Sequence, residues 1–151
     1  MQYAVLAWST ANKKDMKKLI SLHNRCIRLM CLHGPLYDLN FSAEELFNNL
    51  EILTTENISK FEMAKFMHKA SNNMLPPALL SHFTLTSSVH NYATRSHTNQ
   101  EYRLPSYKLV QSQRWVSYSG IKLWQSVNPE IKCMPFAAFK RLYKTHLLEN
   151  H

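Results

Sequence analysis

The chain has 151 residues, 45% of them hydrophobic and 19% charged, with a formal net charge of +8. This excludes an intrinsically disordered chain and fits one domain with a modest core. Only two glycines occur, Gly34 and Gly120, which excludes a glycine-rich phosphate loop and argues against a hairpin-rich β fold.

The charge is unevenly spread. Residues 13–28 hold Lys13, Lys14, Lys17, Lys18, Arg25 and Arg28 against one acid, Asp15. Residues 84–128 hold Arg95, Arg103, Lys108, Arg114 and Lys122 against Glu101. The stretch between them carries Asp38, Glu44, Glu45, Glu51, Glu56 and Glu62. Such clustering suits a polyanion partner, with solvated basic faces as the plain alternative. Three cysteines, Cys26, Cys31 and Cys133, make no disulfide framework and fit a reducing compartment. The apolar stretch from Tyr3 to Trp8 is too short for a signal-peptide core, and no run approaches the roughly 18 apolar residues of a membrane span. The expectation is a soluble intracellular protein, nuclear or cytoplasmic, with no membrane partner.

Residues 2–10 are compatible with a helix or a strand. Asn12 is an N-cap candidate with Asp15 three positions on. From 13 to 32 the pattern is helical: Met16, Leu19, Ile20, His23, Cys26, Ile27 and Met30 recur at steps of three and four and define the inward face. Lys14, Lys17, Lys18, Ser21, Arg25 and Arg28 lie opposite, and Gly34 with Pro35 stops the helix. Ser42-Ala43-Glu44-Glu45 is a capping box for a short helix to about Asn49. Thr54 or Thr55 caps the next helix, over roughly 55–72, whose apolar face of Ile58, Phe61, Ala64, Phe66, Met67 and Ala70 is broad. Asn72-Asn73 and Pro76-Pro77 end it, and Ala78 to Phe83 allow one more turn.

Residues 84–107 have no helical period and form a long polar loop, a length that is uncommon in a compact domain unless it binds something. Residues 109–118 fit a strand or a poor helix. Ser119 is a cap candidate for a short helix over Gly120–Val127, and Pro129 and Pro135 suit first turns. The final helix runs from about Pro135 to Glu149 with Phe136, Phe139, Leu142, Tyr143, His146 and Leu147 inward. The expected fold is mainly α: an irregular helical bundle with a long polar loop around residues 84–107.

The sequence lacks the residues of several chemistries. A two-metal nucleotidyl transferase needs clustered carboxylates, whereas the only aspartates are Asp15 and Asp38, and no Tyr-x-Asp-Asp occurs. His23, Cys26, Cys31 and His33 look like a zinc set, but Cys26 and Cys31 are five residues apart on a helix, about 140° around its axis, and do not converge. No nucleophile elbow is present. The reading is a non-enzyme without metal or cofactor.

Two binding constellations remain. Lys14, Lys18, Arg25 and Arg28 form a stripe roughly 21 Å long, able to follow phosphates along a duplex without reading sequence. In the loop, His90-Asn91-Tyr92-Ala93-Thr94-Arg95 offers Asn91 for hydrogen bonds, Tyr92 for stacking and Arg95 for a phosphate fork; the alternative is a loop anchored on itself. Trp124, at helical spacing with Ile121 and Val127, reads as core.

HNYATR at 90–95, then Gly120-Ile121-Lys122-Leu123-Trp124, then Phe136-Ala137-Ala138-Phe139-Lys140-Arg141-Leu142, resembles in order and spacing the C-terminal region of reverse transcriptases from non-LTR, LINE-type (jockey-like) retrotransposons. The family reads HNYNTR, then G-x-x-LWN-x-LP-x-x-I, then F-x-x-x-L. Here Ala93 replaces the second asparagine, Gln125 follows the tryptophan, and Val127-Asn128-Pro129 has one residue more than Leu-Pro. The resemblance implies the thumb and post-thumb of an RNA-directed DNA polymerase, with 1–83 thumb-like and 84–151 a loop with C-terminal helices packed with it. It implies a fragment or remnant of a retrotransposon reading frame, Met1 being an internal start. Its implied task is non-catalytic contact with RNA or an RNA–DNA duplex through Lys14, Lys18, Arg25, Arg28, Asn91, Tyr92 and Arg95. The competing expectation is a helical interaction module, docking through Phe61, Phe66 and Met67 on the missing palm and fingers or on a host protein.

Overall fold

The computed structural model describes residues 4–31, 42–89 and 101–149. Among them the chain is mainly α-helical, as expected. The helices are α1 (Val5–Trp8), α2 (Lys13–Cys31), α3 (Ala43–Asn49), α4 (Thr55–Ser71), α5 (Pro77–Leu80), α6 (Val116–Ser126), α7 (Pro129–Lys132) and α8 (Phe136–Glu149). The described residues hold no strand, only an isolated antiparallel bridge between Leu85 and Tyr102. Contacts group the chain into two compact units: Met1–Glu62 with Lys140–His151, and Met63–Phe139. In this grouping the residues from Lys140 onward join the first unit, and the break at Glu62 and Met63 falls within α4.

In the first unit, Asn12 caps α2: Asp15 N donates to Asn12 Oδ1 at 2.9 Å and Asn12 Nδ2 donates to Asp15 Oδ2 at 2.7 Å. The helix buries His23, Ile27 and Cys31, and α3 covers them with Leu46 and Phe47. Cys26 and Met30, expected inward, are exposed. The sector that α3 covers is narrower than the apolar pattern and takes in Cys31 instead. Gly34 and Pro35 lie outside the described residues.

Helix α3 opens on the capping box: Glu45 N donates to Ser42 Oγ at 3.2 Å and Ser42 N to Glu45 Oε2 at 2.6 Å. It closes on Glu51 at φ 52°, where Ile52 N donates to Phe47 O at 2.9 Å and Glu51 N to Asn48 O at 3.0 Å. These two bonds make a Schellman motif, normally the place of a glycine.

Of the two threonines offered as caps for α4, Thr54 takes the role, accepting from Asn57 N at 3.3 Å. Thr55 is buried inside the helix. Asn57 Nδ2 donates to Leu147 O at 3.0 Å, and Phe61 stacks on Tyr143 with centroids 6.5 Å apart and planes 9° from parallel. Burial pushes the Tyr143 phenol up to about 12. On α8, Tyr143 and Leu147 are buried as expected, while Leu142 and His146 face solvent.

In the second unit, Met63, Ala64, Met67 and Ala70 of α4 are buried, and Phe66 is half-buried against Phe83. His68 is buried among Trp124, Phe136 and Phe139, with its Nε2 2.9 Å from Met134 O. Ile121, Trp124 and Val127 are all buried, so Trp124 is core as read. Gly120 lies inside α6, where a Cβ would come within 3.1 Å of Met67 Sδ. Helix α6 starts at Val116, one turn earlier than expected. Ser119 is no cap: its hydroxyl donates back to Trp115 O at 2.9 Å and Arg114 O at 3.1 Å. Residues 109–118 hold a 3-10 turn, Ser112–Arg114, and the first residues of α6. Asn73, at φ 54°, closes α4 by the same Schellman pair, Met74 N to Lys69 O at 2.8 Å and Asn73 N to Ala70 O at 3.1 Å. Pro77 and Pro129 occupy first turns.

Candidate nucleic-acid interface

Helix α2 places its cations by rotation alone. At 100° per residue, Lys14, Lys18 and Arg25 fall within about 40° of one another, and Arg28 and Lys17 extend the arc by roughly a further 60°. All five are exposed. Lys18 Nζ lies 3.8 Å from Asp15 Oδ1, but both side chains are more than half exposed, so the pair costs a phosphate ligand little to replace. The buried face on α3 fixes the helix, and with it the direction in which the cations point. Such an arc binds phosphates electrostatically and carries no chemistry of its own.

The predicted site residues Asn91, Tyr92 and Arg95 lie outside the described residues. The described residues on either side are paired: Leu85 bridges Tyr102, Thr86 N donates to Glu101 O at 2.9 Å, and Arg103 N donates to Thr84 O at 2.8 Å. The Thr86 hydroxyl adds a bond to Glu101 O at 2.9 Å.

The apolar face expected around Phe61, Phe66 and Met67 is covered unequally, with Phe61 and Phe66 half-buried. Met67 is fully buried within the second unit, and Phe61 and Phe66 contact Tyr143 and Phe83. Among the described residues, no group of three or more His, Cys, Asp or Glu converges on a possible metal position. Of the apparent zinc set, His23 is in the core, Cys31 is buried beside Phe47, Cys26 faces outward, and His33 lies outside the described residues.

Sequence reasoning missed one concavity in the second unit. A cleft of about 670 Å³ is lined by Phe83, Glu101, Tyr102, Trp124, Lys132 and Cys133, among others. Lys132 Nζ sits 5.5 Å from the Trp124 ring centroid, and burial lowers its pKa against the opposing pull of Glu101 and Cys133. The indole beneath Lys132 comes from a different helix, so spacing along the sequence does not report this pair. No helix of the described residues is long and apolar enough to cross a membrane. No family model, curated protein or solved structure matches this chain.

Proposed function

We propose that the chain is the thumb-like, C-terminal part of a non-LTR reverse transcriptase and that it binds template RNA or an RNA–DNA duplex without catalysing a reaction. The observation that carries this reading is the exposed cation arc of α2, in which Lys14, Lys18, Arg25 and Arg28 share one side of a rigidly seated helix. The ordered motifs HNYATR and GIKLW support the family origin, and the scarcity of carboxylates supports a non-catalytic role. Asn91, Tyr92 and Arg95, which carry the HNYATR motif, are the proposed second contact.

The test is binding of an RNA hairpin and an RNA–DNA duplex across a salt series. Four phosphate contacts give a log–log slope of roughly −3.6, so raising salt from about 50 to 200 mM should weaken duplex binding roughly a hundredfold. Arg25→Glu with Arg28→Glu should flatten the slope by about two and weaken binding at every salt. Absence of binding at low salt, or a slope unchanged by the double variant, overturns the proposal.

A further inference from the structure

Helix α2 carries three faces, not two. His23, Ile27 and Cys31 meet α3, and the cations fill a second arc. The third arc is apolar and open: Leu22 is 58% exposed, Leu29 58% and Met30 69%, and Cys26 is exposed between them. With the half-buried Leu19, these residues run 19, 22, 26, 29, in steps of three, four and three. That is the spacing of a coiled-coil seam, here about 15 Å long. An unpartnered apolar stripe of three turns is a recognised mark of an interaction surface.

Charge decides what fits it. Lys18 and Arg25 border the stripe along the edge of Leu22 and Leu29, at the seam position that faces a partner helix's flank. The opposite border runs into the buried face on α3. A second copy packed antiparallel would set Lys18 and Arg25 against their own counterparts, and one packed parallel would offer them Met30 and the buried His23. Neither arrangement pairs the charges. Asp15 lies on the line of the stripe at its N-terminal end, with its side chain 55% exposed, so an anionic lipid surface would meet a carboxylate there. We infer that the stripe is a docking seam for an amphipathic helix of about three turns, apolar at coiled-coil spacing and carrying carboxylates along the flank that meets Lys18 and Arg25.

The test uses the full chain with Cys133→Ser, which leaves Cys26 as the exposed thiol beside the buried Cys31. Two synthetic helical peptides with the same leucine seam are compared, one with a glutamate flank and one with a lysine flank. Peptide anisotropy gives the affinity, and the rate of Cys26 alkylation by N-ethylmaleimide reports the seam. The glutamate peptide should bind about tenfold or more tighter than the lysine peptide and slow alkylation by a similar factor. Leu22→Gln with Leu29→Gln, which adds no charge beside Lys18 and Arg25, should remove both effects and leave RNA affinity intact, which separates this seam from the cation arc. Equal affinity for the two peptides, no binding, or binding without protection of Cys26 overturns the inference. So does self-association abolished by the Leu22→Gln/Leu29→Gln pair, or protection of Cys26 by anionic vesicles equal to that by the glutamate peptide.

Discussion

His23 falls on the inward face of α2 in a His-Cys set whose spacing does not converge on a metal, and the fold makes it a core residue. Its Nδ1 is 2.8 Å from Thr55 Oγ1, and its ring meets Phe47 edge-on with centroids 4.7 Å apart. Burial lowers its pKa below the ordinary 6.5, so the folded state favours the neutral ring. The unfolded chain therefore takes up this proton first. The contribution to stability is fully present above about pH 6.5 and is lost as pH falls below it toward the folded pKa. Thermal melts followed by circular dichroism at pH 7 and pH 5 should show a drop in Tm that is smaller in His23→Gln. An equal drop in both proteins would refute the assignment. The periodicity placed His23 on the inward face. It could not show Thr55, 32 positions away, because that partner depends on how α4 lies beside α2.

At the scale of elements, what was legible was local chemistry. Asn12 and Ser42 cap their helices through side chains within three residues, and those bonds can be read from spacing. The end of α3 was placed near Asn49, but not the Schellman closure that makes it, because Glu51 holds the left-handed position without being a glycine. An L side chain there costs roughly 1–2 kcal/mol, part of which glycine gives back as chain entropy. Glu51→Gly should stabilise the fold by about 0.5–1 kcal/mol in urea unfolding, and a loss of stability would show that the Glu51 side chain does more than occupy the turn. The start of α6 was misplaced because its N-cap, Trp115, forms no side-chain cap, whereas Ser119 offered one and uses its hydroxyl inside the helix. For the candidate site, the cation arc was legible because a helix of 19 residues fixes its own faces. The apolar third face was not, since the pattern alone cannot distinguish Cys26 and Met30 from the buried Cys31.

Over the whole molecule, the contact pattern joins the two ends of the chain in one unit. Leu147 and Tyr143 are 7% and 3% exposed, and the carbonyl of Leu147 accepts from Asn57, 90 positions earlier. Leu147→Ala should cost about 2–4 kcal/mol in chemical denaturation, and a cost below about 1 kcal/mol would mean that α8 adds little to that unit. No sequence period reports such pairing. The pairing also orders events during synthesis. Met63–Phe139 is contiguous and has all its residues once Phe139 has left the ribosome. The unit containing α2 and α3 must wait for the residues from Lys140 onward. Until then the nascent chain carries Phe61 and Asn57 without Tyr143 and Leu147, so the unit holding α2 and α3 stays open to chaperones and proteases after Met63–Phe139 has emerged.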